Sequence, residues 1–294
     1  MTSGPRRNWR PRWLLRVGAL GYVALLVVVP VGSVFYRAFE HGVTTAWDAV
    51  TTGDALHALR LTLLVVLIAV PLDTLFGVGV ALIVARHRFP GVRVLDALAD
   101  IPLALSPVVV GLALILVYGQ GGWFGAALAG WGVHVIFSLP GIVMASAAVA
   151  LPYVVREVLP ILEEIGTEQE QAAQTLGGGK FAIFRRITLP SIRSGLVYGV
   201  TLTTARVLGE FGAVAIVSGN IEGKTQTLTL FVQDSVDNLD PTAAYAGAVI
   251  LAIVAFMVLA VLGADSGTRR RSRAWRSTSE GSPSDSVTLL PSRT

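Results

Sequence analysis

Apolar residues in this chain run in unbroken blocks rather than alternating with polar ones. Residues 101 to 155 form 55 consecutive positions without an Asp, Glu, Lys or Arg, and residues 241 to 264 form another 24. A helix needs about 20 apolar residues to cross a bilayer, so these blocks predict membrane spans. Residues 17 to 36 are a third uncharged block, preceded by Arg6, Arg7, Arg10, Arg12 and Arg16. Bulky Val34, Phe35 and Tyr36 stand where a signal peptide would carry a small-residue cleavage site, and further spans follow, so this block reads as a retained first span. The run from 59 to 85 is interrupted only by Arg60 at its edge and Asp73 near its middle. The longest block divides at the Gly-rich segment 119 to 132, whose glycines and tryptophans suit a turn at the membrane interface. The pattern predicts an all-α polytopic membrane protein with six transmembrane helices, at about 14–36, 59–85, 101–118, 134–155, 195–217 and 242–262. A cytoplasmic N-terminal arm at 1–13, a cytoplasmic loop at 156–193 and a disordered, Ser- and Arg-rich tail at 264–294 complete the division.

Charge then orients the spans. Nineteen of the 23 basic residues fall in the N-terminal arm, the 86–93 loop, the 156–193 segment and the tail, against Arg37, Arg60 and Lys224 on the alternate side. The positive-inside rule places both termini in the cytoplasm. Only 14% of residues are charged and 53% are apolar, well away from a soluble domain. A pI near 9.8 alone would admit nucleic acid as a partner. The basic residues, though, fall in short clusters between apolar runs, so the excess sets topology and no nucleic-acid partner is expected. The chain has no cysteine, which excludes disulfides, thiolate nucleophiles and Cys-ligated metal. His41, His57, His87 and His134 include no pair at i, i+3 or i, i+4, so no metal site is expected.

The segment between spans four and five is patterned rather than random. Its Glu, Gln and Ala up to Leu176 favour a helix with acidic residues near its start, where the macrodipole prefers them. Gly177, Gly178 and Gly179 stop that helix. A second short helix at about 180 to 187 carries Phe181, Phe184 and Ile187 along one face and is ended by Pro190. Two short helices then project from the membrane, either as an amphipathic connector on the headgroups or as a docking element for a cytoplasmic partner. Gly179-Lys180 is no phosphate loop, because Gln174 and Phe181 stand where that motif needs Gly and Ser or Thr.

This loop resembles that of the permease subunits of bacterial ATP-driven (ABC) importers, Glu-Ala-Ala, three residues, Gly, nine residues, Ile-x-Leu-Pro. Here it is Gln171-Ala172-Ala173, Gly177, Ile187, Leu189 and Pro190, with every spacing kept and Gln171 replacing the family's Glu. The segments beginning at Ser106-Pro107-Val108, Ile136-Phe137-Ser138, Val154-Val155-Arg156 and Ala205-Arg206-Val207 resemble the sulfate/molybdate group of that family, sulfate permeases in particular. The resemblance covers about residues 15 to 262. It implies the type I importer (MetI-like) fold and a place in the bacterial inner membrane. It also implies a non-catalytic subunit forming half of a path for sulfate, with thiosulfate as a second substrate. The implied partners are two ATPase subunits, a companion permease of the CysT type, and a periplasmic or lipid-anchored sulfate-binding protein. ATP and magnesium belong to the ATPase, so no cofactor is expected in this chain. The implied docking set is Gln171, Ala172, Ala173, Gly177, Ile187, Leu189 and Pro190. The Gly209-Glu210-Phe211-Gly212-Ala213 segment also occurs in molybdate permeases, so a molybdate or tungstate importer is the alternative reading. A membrane protein docking some other partner through its loop is a third.

Within the spans, Arg206 and Glu210 are four residues apart and share a helix face. Ionisable groups at that depth face protein or water rather than lipid. The pair reads first as an internal tie that fixes span five, and second as part of the translocation path with Ser106 and Phe211. Asp73 reads as structural. Pro107, Pro140 and Pro152 are expected to kink or unwind spans three and four.

Overall fold

The computed structural model describes the backbone of residues 10–279 and the side chains of Trp13 and of residues 16–262. Helices α1 (Arg10–Val23) and α2 (Val29–Phe39) join through a wide turn at Ala24–Val28. They are followed by α3 (Val43–Val50), α4 (Gly53–Arg86), α5 (Val92–Ala104), α6 (Pro107–Tyr118), α7 (Gly125–Gly130) and α8 (Leu139–Ile165). Next come α9 (Glu168–Thr175), α10 (Lys180–Ile183), a second wide turn at Phe184–Thr188, α11 (Leu189–Leu208), α12 (Gly212–Ser218), α13 (Leu228–Asp237) and α14 (Pro241–Ser279). Among the described residues there is no strand.

Among the described residues, four helices are long and apolar enough to cross a membrane unaided: Arg16–Phe39, Gly53–Arg86, Leu139–Ile165 and Pro241–Leu262. The count reaches six when each of two bent pairs is one span. The span expected at 101–118, with a kink at Pro107, is the bent pair α5 and α6, which starts at Val92 and meets at 115°. Pro107 is the cause, since a residue before proline is driven to extended backbone and Ser106 sits at φ −62°, ψ 137°. The expected span five is likewise broken, α11 and α12 meeting at 53° across Gly209–Phe211. Span four begins at Leu139 rather than 134, and span two six residues earlier than expected, where Thr52 Oγ1 accepts the Ala55 N–H.

The loop expected at 156–193 is shorter at both ends. α8 runs through Pro152 and Pro160 to Ile165, so Arg156 lies within a helix, where it pairs with Asp100 and Asp96 of α5. Pro190 does not end the second loop helix. The turn before it is widened, the Leu189 N–H bonding to Phe184 O five residues back, and the helix continues from Lys180 to Leu208. A widened turn absorbs the clash that a proline ring makes with the carbonyl four residues before it. Ala24–Val28 does the same ahead of Pro30. Residues 1–9 of the expected arm and 280–294 of the expected tail lie outside the described residues, and from 264 to Ser279, where a disordered tail is expected, α14 continues as helix.

The core is α4, α8 and α11. Leu61, Val65, Ala69, Ile142, Val143 and Val207 form one buried cluster, and Val78, Val154, Val158, Leu162 and Ile192 another. Small residues let these helices approach closely, as is usual where lipid supplies no hydrophobic drive between helices. A Cβ at Gly195 of α11 would lie 2.4 Å from Glu157 O of α8. Gly195→Val is therefore expected to force α11 off α8 at a cost of about 1–3 kcal/mol. Thermal unfolding in detergent checks this, and an unchanged midpoint would refute it.

Candidate coupling loop and broken-helix site

The loop is built on a short exposed helix between two left-handed glycines. Gly166 ends α8 at φ 66°, and Gly177 follows α9 at φ 81°. The Gly177 N–H donates to Gln174 O and the Gly178 N–H to Ala173 O, both at 2.9 Å. This crossed pair is the Schellman closure, which uses the carbonyls that a helix end leaves unpaired and requires the positive φ at Gly177.

The seven motif residues divide into two groups. Gln171, Ala172 and Gly177 are exposed and Ala173 is half-buried. The Gln171 amide turns back and donates to Thr167 Oγ1 at 2.9 Å, within its own helix. Ile187 and Leu189 are instead turned towards the spans, Leu189 packing on the α4–α8 cluster and Ile187 lining a small cleft with Arg86 and Glu170. Pro190 is exposed and follows directly on the widened turn that accommodates its ring. Two outward residues outside the motif escaped the sequence reading or were misplaced by it. Leu176 is 88% exposed beside Gly177, and Phe181, expected on a face with Phe184 and Ile187, is 76% exposed while those two are half-buried. A large apolar residue between a helix and its stop glycine was the available signal.

The second feature is where the two bent spans touch. A Cβ on Gly212 would lie 3.1 Å from Pro107 Cβ, and one on Gly111 would lie 2.9 Å from Ala213 O. The break before α6 and the break before α12 therefore abut, with Ser106 and Phe211 exposed beside them. Arg206 and Glu210 do pair, Nη1 to Oε2 at 2.5 Å, the Glu side chain 1% exposed and the Arg 25%. Glu210 has a further role that helical spacing alone does not reveal. Its Oε1 accepts the Ala213 N–H at 2.9 Å, and its carbonyl accepts the Thr229 hydroxyl at 2.9 Å. The carboxylate thus serves an unpaired donor in the first turn of α12, and the backbone carbonyl ties the break to α13. Asp73, read as structural, is buried in α4.

A helical bundle with a projecting loop helix and paired broken spans defines the class as a polytopic membrane protein. Residues 74–266 match the family model described as binding-protein-dependent transport system inner membrane component. The chain belongs to that family. It is 47% identical to the sulfate transport system permease protein CysW of Synechocystis, over 88% of this chain and 94% of the relative. It is 36% identical to the sulfate transport system permease protein CysT of Salmonella typhimurium, over 89% and 95%. A solved bacterial ABC transporter that imports alginate superposes with a TM-score of 0.73 at 15% identity, over 90% of this chain and 96% of that one, and shares the fold.

Proposed function

We propose that this chain is the CysW-type permease of an ATP-driven sulfate importer, forming half of the path beside a CysT-type companion. Two ATPase subunits drive it from the cytoplasm, where both termini lie, and a periplasmic or lipid-anchored binding protein delivers sulfate, with thiosulfate as a second cargo. The observation that carries this reading is the 47% identity to a sulfate permease along nearly the whole of both chains, set against 36% for the CysT relative. ATP and magnesium are assigned to the ATPase.

α9 is the docking element in this reading. It buries no residue of its own chain, and Leu176 and Phe181 stand out beside it as apolar anchors for a groove on the ATPase. Leu176→Asp with Phe181→Asp is expected to cut co-purification of the ATPase subunit at least tenfold, since burying an unpaired charge at an interface centre costs about 2 kcal/mol or more. Retention of the ATPase at the normal ratio would argue against docking here.

Radiolabelled sulfate uptake in cells lacking the chain, with molybdate as competitor, tests the cargo. Uptake should vanish and return with the complementing gene. Normal sulfate uptake with lost molybdate accumulation would move the assignment to a molybdate importer.

The Arg206–Glu210 pair, with Ser106 and Phe211, flanks the meeting of the two broken spans and is assigned to the path as a gate rather than as an anion ligand. Arg206 is held by a carboxylate, which leaves little net attraction for sulfate.

A further inference from the structure

The loop helix meets the ends of the spans at a polar joint beside a small cleft. α9 buries no residue, and the chain on either side passes through a glycine in the left-handed region, Gly166 at φ 66° and Gly177 at φ 81°. A helix mounted this way would swivel when pushed, and the push would be lost in the two turns. Glu170, on its inward face, carries hydrogen bonds and an ion pair that oppose swivelling. Its Oε1 accepts from Arg86 Nη2 at 3.2 Å and from the Thr188 hydroxyl at 2.8 Å, and its Oε2 lies 3.2 Å from Arg86 Nε. Arg86, the last residue of α4, also donates from Nη1 to Leu162 O at 2.9 Å, a carbonyl in the last stretch of α8. The two charged side chains are only 13% and 18% exposed.

The planar fork of a guanidinium can serve a carboxylate and a carbonyl at fixed angles, which an ammonium does not. Four elements therefore meet at one joint: the end of α4, the end of α8, the loop helix, and the wide turn that leads into α11. Those three spans are the ones that build the core.

We propose that Glu170, held by Arg86 and Thr188, is a positioning residue that makes the loop helix move as one body with α4, α8 and α11. Displacement of the docked helix by ATP binding then reaches the spans instead of being absorbed at Gly166 and Gly177. The inference rests on the reading of α9 as the ATPase docking element, and it separates docking from transmission: Leu176 and Phe181 hold the partner, and Glu170 passes the motion on.

The test uses the assembled complex in proteoliposomes, with the sulfate-binding protein and radiolabelled sulfate. Glu170→Ala, Arg86→Lys and the near-isosteric Thr188→Val are compared with the unaltered complex. Three quantities are read: ATPase subunit retained, ATP hydrolysed, and sulfate moved per ATP. Glu170→Ala should keep the ATPase bound and hydrolysing but lower sulfate per ATP about tenfold, the size expected for losing a charge-assisted network in a partly shielded site. Arg86→Lys and Thr188→Val should fall between. Unchanged sulfate per ATP overturns the proposal, as does a parallel fall of transport and hydrolysis or a loss of the ATPase subunit, since either makes the joint part of docking.

The absence of cysteine allows a second readout that does not depend on transport. Spin labels on cysteines introduced at the exposed Glu163 of α8 and Gln174 of α9 should report one narrow distance in the parent, broadened by Glu170→Ala. An equally narrow distance in the variant overturns the proposal. If the unaltered complex retains no ATPase, or the Leu176/Phe181 variant retains it fully, the docking reading itself fails and this inference with it.

Discussion

Glu210→Ala is expected to remove nearly all transport together with most of the folded protein, whereas Glu210→Gln keeps the protein and loses only part of the activity. The carboxylate does two jobs at the break in span five. It neutralises Arg206 at 2.5 Å, and it accepts the Ala213 N–H that begins α12. Alanine abolishes both, leaving a partly buried guanidinium without its counter-charge and a buried N–H without an acceptor. Breaking a buried ion pair from one side costs about 3–5 kcal/mol, enough to unfold a marginal protein. Glutamine retains an oxygen for Ala213 and loses only the charge. Membrane-fraction abundance measured beside uptake checks the contrast. Full abundance and full uptake in the alanine variant would refute the double role. Full uptake with unchanged anion selectivity in the glutamine variant would remove the pair from the path and leave it as a tie within span five.

Gly177→Val is expected to abolish uptake while leaving the helical bundle intact. The Schellman closure of α9 needs φ near 81° at this position, where a β-branched residue is costly by at least about 1–2 kcal/mol. Nothing lies within 4 Å of a Cβ added there, so the effect is on the backbone and not on packing. The loop would leave its turn, α9 would lengthen or fray, and Leu176 would lose its place in the proposed docking surface. Thermal stability in detergent should stay within a few degrees of the parent, because α9 contributes no buried residue to the core. Loss of ATPase co-purification with a normal melting curve is the expected result, and normal uptake would refute it. Gly177→Ala, with a smaller barrier, should be intermediate.

Much of the molecule was readable because a bilayer makes composition decisive. Uninterrupted apolar runs had to be spans, since backbone groups in hydrocarbon must be satisfied internally and helices do that by themselves. The stop at Gly177 followed from local backbone chemistry, and so did the pairing of Arg206 with Glu210 from a spacing of four. Prolines were the least legible element. Pro107 breaks span three by 115°, while Pro152 and Pro160 sit inside an unbroken α8 and Pro190 is bridged by a wide turn. The residue type is the same in each case, and the packing around it decides the outcome.

The sequence by itself determined the membrane class, the number of apolar segments, the motif-bearing loop and its terminating glycine, because each rests on local propensity or on the bilayer's demand for continuous apolar helix. Tertiary structure alone decided that the two broken spans abut at Gly212 and Pro107, that Glu210 serves the first turn of α12, and that Ile187 and Leu189 turn inward while Leu176 and Phe181 turn out. It also decided the joint of Arg86, Glu170 and Thr188, whose members are 84 and 18 residues apart in sequence. No periodicity along a chain relates the end of one span to the middle of a distant loop. Only the close approach of α4, α8 and α11, allowed by glycines such as Gly77 and Gly195 at their crossings, brings those three side chains within hydrogen-bonding reach.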